Sequence, residues 1–208
     1  METVKPLQRD GVQEANQIFS EGRYEEAIQR LESSLKENPG SPAICAALCN
    51  MYIECRESEI PKEIILNGVD AEPGLCDKLI IFANSLFEEN ALKESNQILE
   101  TLVWKNPDNY ETWNNLGAVR FAMNDLVTSE KAFMQALALQ PGYGESIANL
   151  AALYMETNRP KLAVQTALNC LDERCDMPPA MVVELASLIS GVAPLESSQL
   201  LRSVGKRK

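Results

Sequence analysis

The side chains able to do chemistry in this chain are soon exhausted. None of its 208 residues is a histidine, which removes the commonest general base and the commonest metal ligand. Six cysteines are present: Cys45, Cys49, Cys55, Cys76, Cys170 and Cys175. Cys45 and Cys49 stand one helical turn apart and can face one ion, but the second Cys or His pair that a zinc site needs is missing. With no leader pattern and a chain too large to depend on disulfides, the six read as structural thiols. Paired carboxylates recur, as in Glu25–Glu26 and Glu88–Glu89, at positions that suit solvated helix ends. There is no Gly-x-Ser-x-Gly, no glycine-rich phosphate loop and no base to activate a cysteine nucleophile. The sequence therefore predicts a protein that is not an enzyme, with no cofactor and no metal.

What remains for function is a set of amides and apolar side chains, and their spacing leads to the elements that carry them. Pro39, Pro73, Pro107 and Pro141 are 34 residues apart. Units counted from 31 residues before each proline begin at Gln8, Pro42, Cys76 and Tyr110, and a fifth begins at Gly144, with Cys175 in place of its terminal proline. The eighth position is then always small: Ala15, Cys49, Ala83, Gly117 and Ala151. A small residue there lets two helices approach closely, and the proline ends the second helix because the residue before it avoids helical dihedrals. Asn90, Asn124 and Asn158, with Gly22, fall where the two helices of a unit must turn, and both residue types tolerate the left-handed backbone that ends a helix. Pro61 and Pro160 sit in a first helical turn, where proline is accepted. Gly68 marks a crowded crossing.

The fourth unit carries Trp113-x2-Leu116-Gly117, then Ser129-x3-Phe133-x2-Ala136, then Pro141. This closely resembles the tetratricopeptide-repeat signature, with Arg120 in place of its tyrosine and Ser129 in place of its first alanine. The resemblance covers about residues 8–175, with the second and third units more degenerate. It implies an all-α fold, a right-handed α-solenoid of stacked antiparallel helix pairs. The expected organisation is a lead-in over 1–7, five units (8–41, 42–75, 76–109, 110–143 and 144–177), a degenerate sixth unit or cap over 178–203, and a basic tail over 204–208.

The resemblance further implies that positions 2, 5, 6, 9, 12 and 13 of each unit line a concave groove. Position 9 supplies Asn16, Asn50 and Asn84; in the last two units position 6 supplies Asn115 and Asn149 instead. An amide ladder of this kind can pair with the backbone of an extended peptide. The alternative is that these asparagines bond neighbouring helices. Position 12 supplies Phe19, Ile53, Phe87, Phe121 and Met155, either as an exposed apolar stripe that marks an interaction site or as packing against the next unit. Glu54, Glu88 and Glu156, with Asp77, Glu111 and Glu145, form an acidic rim. The carboxylate clamp of chaperone-binding relatives needs cations at positions 80, 145 and 149 beside Asn84 and Asn115. The sequence has Ile80, Glu145 and Asn149 there, so clamp-type binding is rejected.

Composition bounds the partners. The net charge of −11 disfavours nucleic acid, which needs a basic surface. Arg202, Lys206, Arg207 and Lys208 place four positive charges in the last seven residues. No run approaches the ~20 apolar residues of a membrane span, and Met1 to Asp10 lacks an apolar leader core, so the expected location is the cytoplasm with no membrane insertion. The leading expectation is an adaptor whose groove binds a protein or peptide segment, apolar with some basic residues. The alternatives are a self-assembling scaffold on a secretion apparatus or organelle, driven by self-association, and an accessory subunit of an enzyme such as a glycosyltransferase.

Overall fold

The structure, a computed structural model, describes residues 6–72, 74–171 and 175–204, with side chains from residue 11 onward. The expectations for residues 1–5 of the lead-in, for Pro73 and for the tail from Gly205 to Lys208 lie outside the described residues. The chain divides into two compact units, residues 1–105 and 106–208.

In the first unit, α1 (Pro6–Ser20) pairs with α2 (Tyr24–Glu37), α3 (Pro42–Glu54) with α4 (Lys62–Ala71), and α5 (Leu75–Glu88) with α6 (Leu92–Lys105). The pairs stack through α1 on α3, α3 on α5 and α4 on α6. Gly68 sits at one crossing: an added Cβ would lie 3.2 Å from the backbone of Ala46. The core of this unit includes Leu31, Leu48, Ile65, Leu79 and Leu99, each fully buried.

In the second unit, α7 (Tyr110–Ala122) pairs with α8 (Leu126–Leu139), α9 (Gly144–Glu156) with α10 (Pro160–Leu168), and α11 (Pro179–Ile189) with α12 (Pro194–Val204). Here α7 rests on α9 and α9 on α11. Phe133, Leu150 and Leu153 belong to one core cluster, and Ile147, Val182, Leu185 and Leu200 to another.

The turns inside each pair repeat one device. Asn90, Asn124 and Asn158 have φ of 63°, 62° and 57°, and Gly22 has 83°. The amide after each asparagine reaches back five residues: Ala91 N–H to Leu86 O, Asp125 N–H to Arg120 O and Arg159 N–H to Tyr154 O, all within 2.9 Å. This is the Schellman closure, which satisfies a carbonyl left open by the helix end. In the second pair the left-handed position belongs to Arg56, with φ of 57°.

Helix contact inside a pair is closest at the small residue. At Gly117 a Cβ would lie 2.6 Å from the ring of Phe133. The departure at Ser129 has a physical basis: its buried hydroxyl donates to the Gly117 carbonyl at 2.8 Å. The same bond runs from Ser95 to Ala83 and from Ser197 to Ala186, each at 2.8 Å.

Candidate protein-interaction surface

In the first unit, Asn16, Phe19 and Asn50 come together along a shallow cleft of about 250 Å³ between α1 and α3, beside Val12, Met51 and Glu54. Asn16 is exposed and Phe19 half-buried. Asn50 is already engaged on both ends of its amide. Its Nδ2 donates to Ala46 O and to Glu72 Oε2, each at 3.0 Å, and its Oδ1 accepts from Lys78 Nζ at 2.7 Å. Lys78 also pairs with Glu72 Oε1 at 3.0 Å. The Lys78 ammonium, and then the Asn50 amide, hold the Glu72 carboxyl below the ordinary glutamate range. Asn84 is exposed on α5, with Phe87 exposed one turn on and Ile53 half-buried on α3. The Asn84 side chain makes no hydrogen bond among the described residues.

In the second unit, Asn115 and Asn149 are both half-buried. Asn149 Nδ2 donates to Asn114 Oδ1 at 3.1 Å, and Ser146 Oγ donates to the same oxygen at 2.9 Å. Asn114 in turn donates to Glu145 Oε2 at 3.3 Å, and Tyr143 donates to that oxygen at 2.8 Å. Burial, and then the bond to Glu145, push the Tyr143 phenol upward. Phe121 and Met155 are half-buried and pack on the cluster of Phe133, Leu150 and Leu153. Asn114 is the amide that sequence reasoning passed over: only 3% exposed, it joins α7 to α9. Its position in the repeat was available, but its neighbours lie more than thirty residues along the chain.

Thus the ladder positions divide. Asn16 and Asn84 face solvent, while Asn50 and Asn149 bond the protein itself. The six carboxylates of the expected rim are all exposed, Glu145 with its oxygen shared between Tyr143 and Asn114. A second group unread in the sequence ties α8 to the turn that follows α9. Arg159 donates from Nη1 to Glu130 Oε1 at 3.0 Å and pairs through Nη2 with Oε2 at 2.8 Å, while its guanidinium lies 4.6 Å from the centre of the Tyr154 ring. This two-pronged contact holds the Glu130 carboxyl below its usual range.

No disulfide joins any of the six cysteines, and Cys45, Cys49 and Cys170 are buried. Burial, reinforced by Cys45, pushes the Cys49 thiol up to about 12. Among the described residues no group of three potential ligands is placed to hold a metal ion, and no helix is long and apolar enough to cross a membrane.

A family model described as tetratricopeptide repeat matches residues 19–59. A comparison with curated proteins gives no match. Among solved structures, PilF of Pseudomonas aeruginosa is 18% identical, with 96% of this chain and 89% of that one covered at a TM-score of 0.51. A thermophilic tetratricopeptide-repeat protein of Thermus thermophilus is 22% identical, with 87% of this chain and 98% of that one covered at a TM-score of 0.50. This chain has the tetratricopeptide-repeat fold. MamA is a further similar structure, 16% identical over 76% of this chain and 92% of its own, at a TM-score of 0.48. The signature tryptophan serves the tetratricopeptide architecture directly: Trp113 Nε1–H donates to the Pro107 carbonyl at 2.7 Å and fixes the entry to α7.

Proposed function

We propose that this chain is a non-catalytic scaffold on which other proteins, copies of itself included, assemble. One observation carries the choice between the scaffold and a receptor for a single groove-bound peptide. Asn50 and Asn149 spend their amides on the protein's own side chains, whereas Ile81, Trp104, Val127 and Leu195 stand largely exposed on α5, α6, α8 and α12. Hydrogen bonds already made inside the protein leave little for an extended peptide to gain. Large apolar side chains held in water favour contact with other proteins, and these are spread over four helices. The secretion-apparatus or organelle setting belongs to this reading, and self-association is part of it. The enzyme-subunit reading has no observation in its favour.

The test is a capture experiment with three baits: wild type, the Asn50→Ala/Asn84→Ala/Asn115→Ala triple variant, and Ile81→Ser/Trp104→Ser. Circular dichroism first confirms that each keeps its helices, and light scattering on the eluate follows oligomer formation. A scaffold loses different subsets of partners in the two variants. Loss of every partner in the triple variant alone restores the peptide-groove reading. A wild-type bait that captures nothing specific and stays monomeric at its highest soluble concentration rejects the scaffold.

A further inference from the structure

Twice within its described residues the protein builds the same local constellation, an arginine placed against an aromatic ring and a carboxylate. Arg159 lies 4.6 Å from the Tyr154 ring centre and pairs with Glu130. Arg56 lies 6.0 Å from the Phe82 ring centre and pairs with Glu89. The guanidinium suits such a place because its flat face stacks on a ring while its edge bonds the carboxylate.

A third constellation has the rings and the carboxylates, but the arginine in its lining, Arg56, pairs with Glu89 instead. At the end of the first helix pair, Phe19 and Tyr24 set their ring centres 4.8 Å apart at 58°. They form one wall of an open cleft of about 800 Å³. Glu25, Glu54 and Glu57 line the same cleft and are exposed. None of the three makes an ion pair or a side-chain hydrogen bond among the described residues. The cations closest in sequence are committed elsewhere: Arg23 to Glu21 and Glu26, and Arg56, although it lines the cleft, to Glu89. The wider field has the same sign. Residues 1–105 hold nineteen acidic and ten basic side chains, a net charge of −9, which leaves −2 for residues 106–208. A cation is drawn toward the first unit, and the ring wall offers a face on which a guanidinium can stack.

We propose that the Phe19–Tyr24 cleft receives the arginine side chain of a partner polypeptide, its guanidinium against the rings and its donors on Glu54 and Glu57. This rests on the protein-binding reading above and adds to it a position and a chemistry, apart from the amide ladder. Arginine suits the cleft better than an apolar anchor, because three free carboxylates would lose solvation beside an apolar anchor without gaining a partner.

Cys55, exposed and part of the cleft lining, provides the readout. Its alkylation by iodoacetamide is followed by mass spectrometry while Ac-Gly-Arg-Gly-NH2 is titrated into the millimolar range. The matching peptide with citrulline, a neutral isostere, is the control for charge, and Cys76 is the control for general thiol reactivity. Burial, and then Glu54 and Glu57, hold the Cys55 thiol up, so a guanidinium seated on those carboxylates alters its thiolate fraction as well as its access. The expected result is a changed alkylation rate at Cys55 with the arginine peptide only, and no change at Cys76. Tyr24→Ala, at a half-exposed side chain, and Glu54→Gln/Glu57→Gln each weaken the arginine effect about threefold or more. The same rate change with citrulline, an unchanged Cys55 rate with arginine, or an undiminished arginine effect in both variants overturns the proposal. The scaffold reading fails separately, when the wild-type bait captures no partner, so the two failures are distinguishable.

Discussion

The hydroxyl of Ser129 donates to the carbonyl of Gly117 across 2.8 Å, at the point where α7 and α8 come closest. Both side chains are the size the crossing demands. A Cβ at residue 117 would meet the Phe133 ring at 2.6 Å, whereas the serine adds a bond to a carbonyl that the helix already uses. Ser129→Ala should therefore cost only about 1 kcal/mol of stability. Gly117→Ala should cost about 1–3 kcal/mol, since the ring must leave its place. Urea unfolding of the two variants beside wild type gives the order; a larger loss for Ser129→Ala would contradict it.

Asn114 accepts from both Ser146 and Asn149. Its replacement by alanine leaves a buried serine hydroxyl without that acceptor and should destabilise the protein by about 2 kcal/mol. In a double-mutant cycle with Ser146→Ala the two losses should not add. Additive losses would mean that the contact carries no coupling energy.

The Glu130 carboxyl is held low by Arg159. A carboxylate whose folded-state pKa is depressed contributes stability that is whole above the ordinary glutamate value of about 4.3 and is lost as pH falls through the lower folded value. Glu130→Gln should therefore cost about 1 kcal/mol at pH 7, a modest figure because both side chains keep some exposure to water. The gap to wild type should narrow below about pH 4. Chemical denaturation at the two pH values measures it, and a gap that widens in acid would reverse the assignment.

The left-handed turn at Asn124, with φ of 62°, sets another expectation. Asn124→Ala should lose about 1 kcal/mol, because a Cβ without a compensating side-chain amide strains that backbone, while Asn124→Gly should change stability by only a few tenths, about 0.3 kcal/mol. Thermal melts of the pair decide it; equal melting temperatures would show that the turn is not held in this conformation in solution.

Thiol reactivity should follow burial. Cys55 is exposed, whereas Cys45, Cys49 and Cys170 are buried, and the Cys49 thiol is pushed up to about 12. At pH 8 a disulfide reagent should modify Cys55 quickly and the buried three only after denaturant is added. Rapid reaction at Cys49 in the native protein would contradict the packing of α3.

The helix-pair fold was legible because its constraint is local and repeated. A small residue at Gly117 or Ala83, a turn asparagine at 90, 124 and 158, and a proline every 34 residues each act within one hairpin. The surface was less legible because its chemistry is decided between hairpins. Asn50 and Asn84 occupy equivalent positions, yet Asn50 meets Glu72 and Lys78 and Asn84 meets none. The difference comes from residues 22 and 28 places away, with no periodic signal. Ser129 looked like a departure from the signature, and only the helix crossing explains it. The recurrence of serine at 95, 129 and 197 was the signal that could have exposed the bond in advance.

Among the described residues, the helix pairs of each unit make their main contacts with the pairs beside them. A hairpin excised whole, or copied and inserted, would present to its neighbours much the same faces they already meet. Length in such a protein is therefore a heritable variable that recombination can adjust in steps of one hairpin. The small residues at the crossings travel with each copy, whereas the bonds of Asn50 and Asn114, made between hairpins, must be found afresh at every new junction.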